Sequence, residues 1–145
     1  MNRVWDPQEK YKDGFLKEYN HWIIEVSFRQ HTIGCYIIFA KRNVERISEL
    51  NKDELSELSK AMGEIENTLI QISEFKPDRF NYLQLGNELH RLHFHGIPRY
   101  KTQRNFGGEI WTDKTWGHPP TWSNSEVSKE FVLKIKEKIL EYLPK

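Results

Sequence analysis

Cysteine is almost absent: Cys35 is the single thiol in 145 residues. One thiol forms no internal disulfide, which excludes a small cross-linked scaffold and leaves a hydrophobic core to hold the fold. Cys35 lies in an apolar run and reads as a buried core thiol rather than a nucleophile, in a chain suited to a reducing cytoplasm. Long apolar runs are also missing. None approaches the roughly 20 residues that a membrane span requires, and the polar, charged N-terminus does not read as a signal peptide. An excess of one charge is lacking too, with 22 basic against 21 acidic residues and a net charge of +1. No global field for long nucleic acid follows, so any anion site must be local. Repeats, low-complexity stretches and linkers are not found. The expectation is one domain over 1–145, with a core at about 20–100 and an aromatic loop and helix over 101–145.

Against these absences stands a concentration of histidine. His90, His93 and His95 fall within Asn87–Tyr100. His93, His95, Ile97 and Arg99 share one parity, so an extended strand places them on one face. Leu92 and Phe94 then point into a core, and Pro98 ends the ladder because it cannot donate a backbone hydrogen bond. This predicts a strand with an apolar back and an imidazole front.

The surrounding pattern predicts an α+β fold. Residues 1–20 carry spaced aromatics (Trp5, Tyr11, Phe15, Tyr19) and suggest a short helix or an arm. Trp22–Phe28 and Ile33–Ala40 read as strands joined in a hairpin, and Lys41-Arg42-Asn43 ends the second as a polar cluster able to face a ligand. Leu55, Leu58, Met62, Ile65, Leu69 and Ile72 recur at helical steps, with Asn51 and Glu54 as cap and partial capping box. Phe80–Leu85 reads as a strand with Asn81 open to polar work, antiparallel to the histidine strand. Residues 101–122, with Gly107-Gly108 and Trp111, Trp116 and Trp122, lack periodicity. Ser125–Leu143 reads as a helix with Ser125 as cap and Phe131, Ile135, Ile139 and Tyr142 on one side.

Three chemistries fit an imidazole front. The histidines are polar residues on a solvated face, or they ligate a metal, or one attacks phosphorus while its neighbours hold the phosphate oxygens. The spacing does not choose between the last two. His90 has the opposite parity, and Glu88 is the one carboxylate beside it in the sequence. Arg99 reads as a phosphate contact or an ion-paired residue beyond the strand. The three tryptophans read as stacking or packing residues and His118 as a loop residue, while His21 and His31 receive no role.

Leu92-His93-Phe94-His95-Gly96-Ile97-Pro98-Arg99 resembles the signature of the histidine triad (HIT) superfamily, in the Ile-Pro-Arg form of its dinucleoside-polyphosphate hydrolase-like members. Arg29-Gln30, Ile33-Gly34, Lys41-Arg42-Asn43-Val44, Glu49 to Glu54 and Pro77 to Tyr82 extend the similarity over roughly 20–100. The resemblance implies a HIT-like antiparallel sheet with one long helix packed on it and a C-terminal helix, in a homodimer whose sheets join. It implies a nucleotide hydrolase or nucleotidyl transferase working through a nucleotidyl-histidine, with His93 as nucleophile and His95 beside it. Asn87 matches a phosphate contact, and Asn81 and Gln30 fall on other matched polar positions. No cofactor is required, although magnesium can accompany a polyphosphate substrate; the partner is a small nucleotide, not a long nucleic acid or a membrane.

Two positions depart from the family pattern. Arg91 replaces the first histidine, with His90 one residue early. Arg91 has the parity to lie over the phosphate, where it helps turnover or locks an anion in place, unless a bulge brings His90 to the active face. Asn43 stands where a histidine is common, and it bonds a ribose or phosphate but carries no proton. The alternative reading is a nucleotide-binding module of the same fold with impaired turnover, and after it a histidine-based metal site.

Overall fold

The computed structural model describes residues 9–145, with side chains from Tyr11 onward, so Trp5 lies outside the described residues. The expected N-terminal helix or arm is, over Glu9–Gly14, a short 3₁₀ turn that feeds β1 (Phe15–Glu18). β1 is an edge strand paired with β2 (Trp22–Val26), where Phe15 and Leu16 find opposite faces to bury. β2 pairs with β3 (Tyr36–Ala40), which pairs with β5 (His93–Arg99), and β4 (Arg79–Leu83) closes the other edge. All four pairings are antiparallel, giving the order β1-β2-β3-β5-β4.

Alternation along the strands sorts the two faces. Trp22, Ile24, Val26, Tyr36, Ile38, Ala40, Leu92 and Phe94 enter one core. That core is completed by α1 (Lys52–Gln71) through Leu58, Ala61, Ile65 and Leu69, and by α2 (Lys129–Leu140) through Phe131, Val132, Ile135 and Ile139. The capping box is present: Asn51 Oδ1 accepts from the Glu54 amide at 2.9 Å, and Glu54 Oε1 accepts from the Asn51 amide at 2.9 Å. Leu55, expected on the apolar face, is exposed, because the helix turns Glu54 inward instead. Arg42 grips the Glu54 carboxylate with two 2.9 Å hydrogen bonds, and Lys41 pairs with Glu18. The cluster at the end of β3 therefore anchors a helix and a strand rather than a ligand.

The link between β2 and β3 is longer than a tight hairpin and is clamped by a side chain. Gln30 Oε1 accepts from the Gly34 and Cys35 amides, and its Nε2 donates to the Ser27 and Cys35 carbonyls. Gly34 has φ 94°, a conformation that glycine adopts without strain. Gly96 is required for a different reason: a Cβ there would lie 2.2 Å from the Tyr36 ring across the strand pair.

The aperiodic stretch after β5 contains a small second sheet, β6 (Arg104–Phe106) with β7 (Glu109–Trp111). Gly107 and Gly108, both with positive φ, make the two-residue turn that such a hairpin favours. α2 starts later than expected, capped by Ser128 instead of Ser125. Tyr142 is exposed and Leu143 takes the buried place, since the chain leaves the helix before Tyr142.

Candidate active site

On the sheet face opposite the helices, register makes two rows. Ile23, Phe39 and His93 are direct neighbours across β2, β3 and β5, and Glu25, Ile37 and His95 form the next row. This face floors a cleft of about 580 Å³. Ile37, Phe39, Glu25 and Ser27 lie on the floor, Leu85, Asn87, Leu89 and Arg91 from the β4–β5 link form one wall, and Phe28 and Trp122 form another.

His93 is buried and held on two sides. Its ring stacks on Phe39, with centroids 5.1 Å apart and planes at 24°. Its Nδ1 lies 2.6 Å from the Arg91 carbonyl. A carbonyl oxygen only accepts, so Nδ1 carries the proton and Nε2 keeps a free lone pair. Burial lowers the ring's pKa, outweighing the bond to Arg91, and favours the neutral form.

His95 meets His93 edge to face at 4.9 Å and Trp122 at 5.0 Å. Burial, with smaller repulsion from His93, His31 and Arg29, brings its pKa down to about 3. Trp122 in turn stacks on His31 at 4.3 Å, and His31 Nδ1 accepts from the Ser123 amide at 2.9 Å. His31 is held neutral as well, at about 4, by burial and then by Arg29. These imidazoles supply lone pairs and neutral N–H donors near pH 7.

Positive charge comes from Arg91. Its Nε and Nη1 are buried and have no hydrogen-bond partner, and burial lowers its pKa. Unpaired guanidinium donors in a cleft are a site for an oxyanion.

The structure thus brings His93, His95, Arg91 and Asn87 to one cleft, and it places the other expected residues elsewhere. His90 is exposed and outside the lining, so no bulge delivers it. Asn43 is exposed beyond β3 and also outside the lining. Gln30 is consumed by the loop clamp. Arg99, expected at phosphate, spends its donors on Asp113, Asn81, Thr115 and the His118 carbonyl. Asn81 is drawn into the same network as an acceptor. These two tie down the segment that carries Trp122 and contact no cleft. Among the described residues, no group of three His, Cys, Asp or Glu side chains is placed to hold a metal ion.

Sequence reasoning missed Glu25 and His31 and left Trp122 undecided. Trp122 and His31 meet across 91 positions of chain, a contact that no local pattern announces. Glu25 was legible in principle as a lone charge in an apolar strand.

The fold has close counterparts among solved structures. A histidine triad protein from Marinobacter aquaeolei is 22% identical, covering 97% of this chain and 99% of that one, with a TM-score of 0.63. One from Sinorhizobium meliloti is 17% identical, with coverage of 97% and 98% and a TM-score of 0.66. A hypothetical histidine triad nucleotide-binding protein from Sulfolobus tokodaii is 20% identical, with coverage of 89% and 82% and a TM-score of 0.63. No curated protein matches the sequence. Residues 19–102, more than half of the chain, match the HIT domain, and the chain belongs to the HIT domain family.

Proposed function

We propose that the protein is a nucleotide hydrolase or nucleotidyl transferase acting at the α-phosphate through a nucleotidyl-His93 intermediate. The observation that carries this reading is the pairing of His93 with Arg91. A neutral imidazole with its proton fixed on Nδ1 shares a cleft with a guanidinium whose Nε and Nη1 are unpaired. The first is a nucleophile and the second is a seat for phosphate oxygens.

In the first step, the His93 Nε2 lone pair forms a bond to the α-phosphorus, and the bond from phosphorus to the leaving group breaks with its electron pair. A phosphate leaving group departs as the anion, and an amine leaving group takes up a proton from water. Water then attacks the same phosphorus, loses a proton to solvent and returns Nε2 with its lone pair. Arg91 and the neutral N–H of His95 hold the nonbridging oxygens, and Asn87 orients them from the wall of the cleft. The covalent step requires no cofactor, although magnesium can accompany a polyphosphate substrate. The Ile97-Pro98-Arg99 form of the motif favours dinucleoside polyphosphates as substrates. A cytoplasmic homodimer whose sheets join fits this reading.

The second reading is a nucleotide-binding module with impaired turnover. What favours it is Arg91 itself, a permanent cation where the family's signature has a histidine.

A substrate panel decides between them: a dinucleoside polyphosphate, a nucleoside phosphoramidate and a nucleotidyl sugar, each with and without chelator, for wild type and His93→Ala. Release of nucleoside monophosphate that vanishes in the variant and survives chelation supports the hydrolase. Thermal stabilisation by nucleotide without release supports the binding module.

A further inference from the structure

Glu25 has no part in the phosphate chemistry, yet it lines the same cleft. It lies directly across from Ile37, which lies directly across from His95. Glu25 and His95 are therefore two strand spacings apart on one face, about 10 Å. His95 stands at one end of this row of the cleft floor and Glu25 at the other.

One oxygen of this carboxyl has no partner among the described residues. Glu25 is 5% exposed, and its Oε2 is fully buried with no hydrogen-bond partner. Burial pushes its pKa up to about 8. An unpaired buried polar group is costly, and an apolar residue here would spare that cost. Ile37 lies directly across from it, and Phe39, Phe28 and Trp122 line the same cleft, apolar surface suited to a flat ring. The last torsion of a glutamate side chain is broad, so either oxygen can turn to an occupant.

We infer that Glu25 reads the nucleobase of the bound nucleotide as a neutral carboxylic acid, favouring an edge that carries an exocyclic amine beside an unprotonated ring nitrogen. This rests on the nucleotide reading above and adds a base preference to it. A carboxylic acid presents one donor and one acceptor. Its O–H donates to the ring nitrogen while its C=O accepts from the amine, as on the N1/N6 edge of adenine. Hypoxanthine has the same size and shape but offers a carbonyl and an N–H there. The acid's proton then faces a carbonyl oxygen, a weaker proton acceptor than the ring nitrogen.

AMP and IMP differ at this edge alone, so their dissociation constants from the full chain, measured by calorimetry near pH 7, test the inference. Both bases can form two hydrogen bonds to the acid, so wild type is expected to bind AMP only a few-fold more tightly than IMP, the margin between a ring nitrogen and a carbonyl oxygen as acceptor. Glu25→Leu should bring the ratio near one while leaving the protein folded. Glu25→Gln, whose amide also pairs a donor with an acceptor, should keep part of the preference. Equal binding by wild type, or a ratio unchanged in Glu25→Leu, overturns the base reading and leaves the nucleotide reading standing. Failure of wild type to bind AMP, IMP or a dinucleoside polyphosphate overturns both.

Discussion

The carbonyl of Arg91 accepts a hydrogen bond from Nδ1 of His93 at 2.6 Å, so the residue two places earlier fixes the tautomer of the proposed nucleophile. Burial lowers the same imidazole's pKa from its ordinary 6.5. The neutral, nucleophilic form therefore persists below pH 6.5. The acid limb of a kcat/KM profile is expected below that value, and a limb at or above it would show that His93 is not the group titrating.

Arg91 supplies the charge for the phosphate. Replacing it with alanine removes charge-assisted hydrogen bonds worth about 1.5–3 kcal/mol. Nucleotide affinity measured by calorimetry should fall by roughly 10- to 100-fold, with the melting temperature little changed or raised. Arg91→His restores the family's residue. Faster turnover in that variant, beside weaker binding, would mean that the arginine trades rate for grip.

Arg99 and Asp113 form a buried ion pair at 2.6 Å, with side chains 4% and 2% exposed. Breaking such a pair by removing one partner costs about 3–5 kcal/mol. Asp113→Ala should therefore lower the stability measured by denaturant unfolding by that order. It should also loosen the segment carrying Trp122, read as a change in tryptophan fluorescence. An effect below about 1 kcal/mol would remove Arg99 from this anchoring role.

Glu25 gives the protein an unusual pH dependence. Its carboxyl ordinarily titrates near 4.5 and in the fold near 8. The unfolded chain ionises first as pH rises, so the stability associated with the protonated group is present below 4.5 and lost progressively toward 8. Glu25→Gln should thus stabilise the protein more at pH 8 than at pH 5, by roughly 3–4 kcal/mol in unfolding free energy. His31 and His95 act on the acid side. Held neutral to about 4 and about 3, they favour the folded state above 6.5 and withdraw that stability as pH falls below it.

Periodicity made the architecture legible: the alternation around His93, the helical steps of α1 and the Asn51–Glu54 capping box all appear in the structure. Local pattern fell short where long-range contacts decide. Arg99, Asn81 and Gln30 look like free polar groups in sequence, but each is absorbed by a partner that no spacing reveals. The Gly107-Gly108 hairpin hid because its strands are three residues each, too short to show alternation. Helical step alone puts Leu55 and Tyr142 on apolar faces. The actual faces are set by Glu54 turning inward to meet Arg42 and by the chain leaving α2 before Tyr142.

The most direct test of the account is to trap the intermediate. Wild type is mixed with a nucleoside phosphoramidate or a dinucleoside polyphosphate, quenched within the first turnover under alkaline conditions, and examined by intact mass and peptide mapping. The expected product is a nucleoside monophosphate added to His93, acid-labile and missing from His93→Ala. Turnover with no adduct on any residue, or an adduct on His90 or His95 instead, would contradict it.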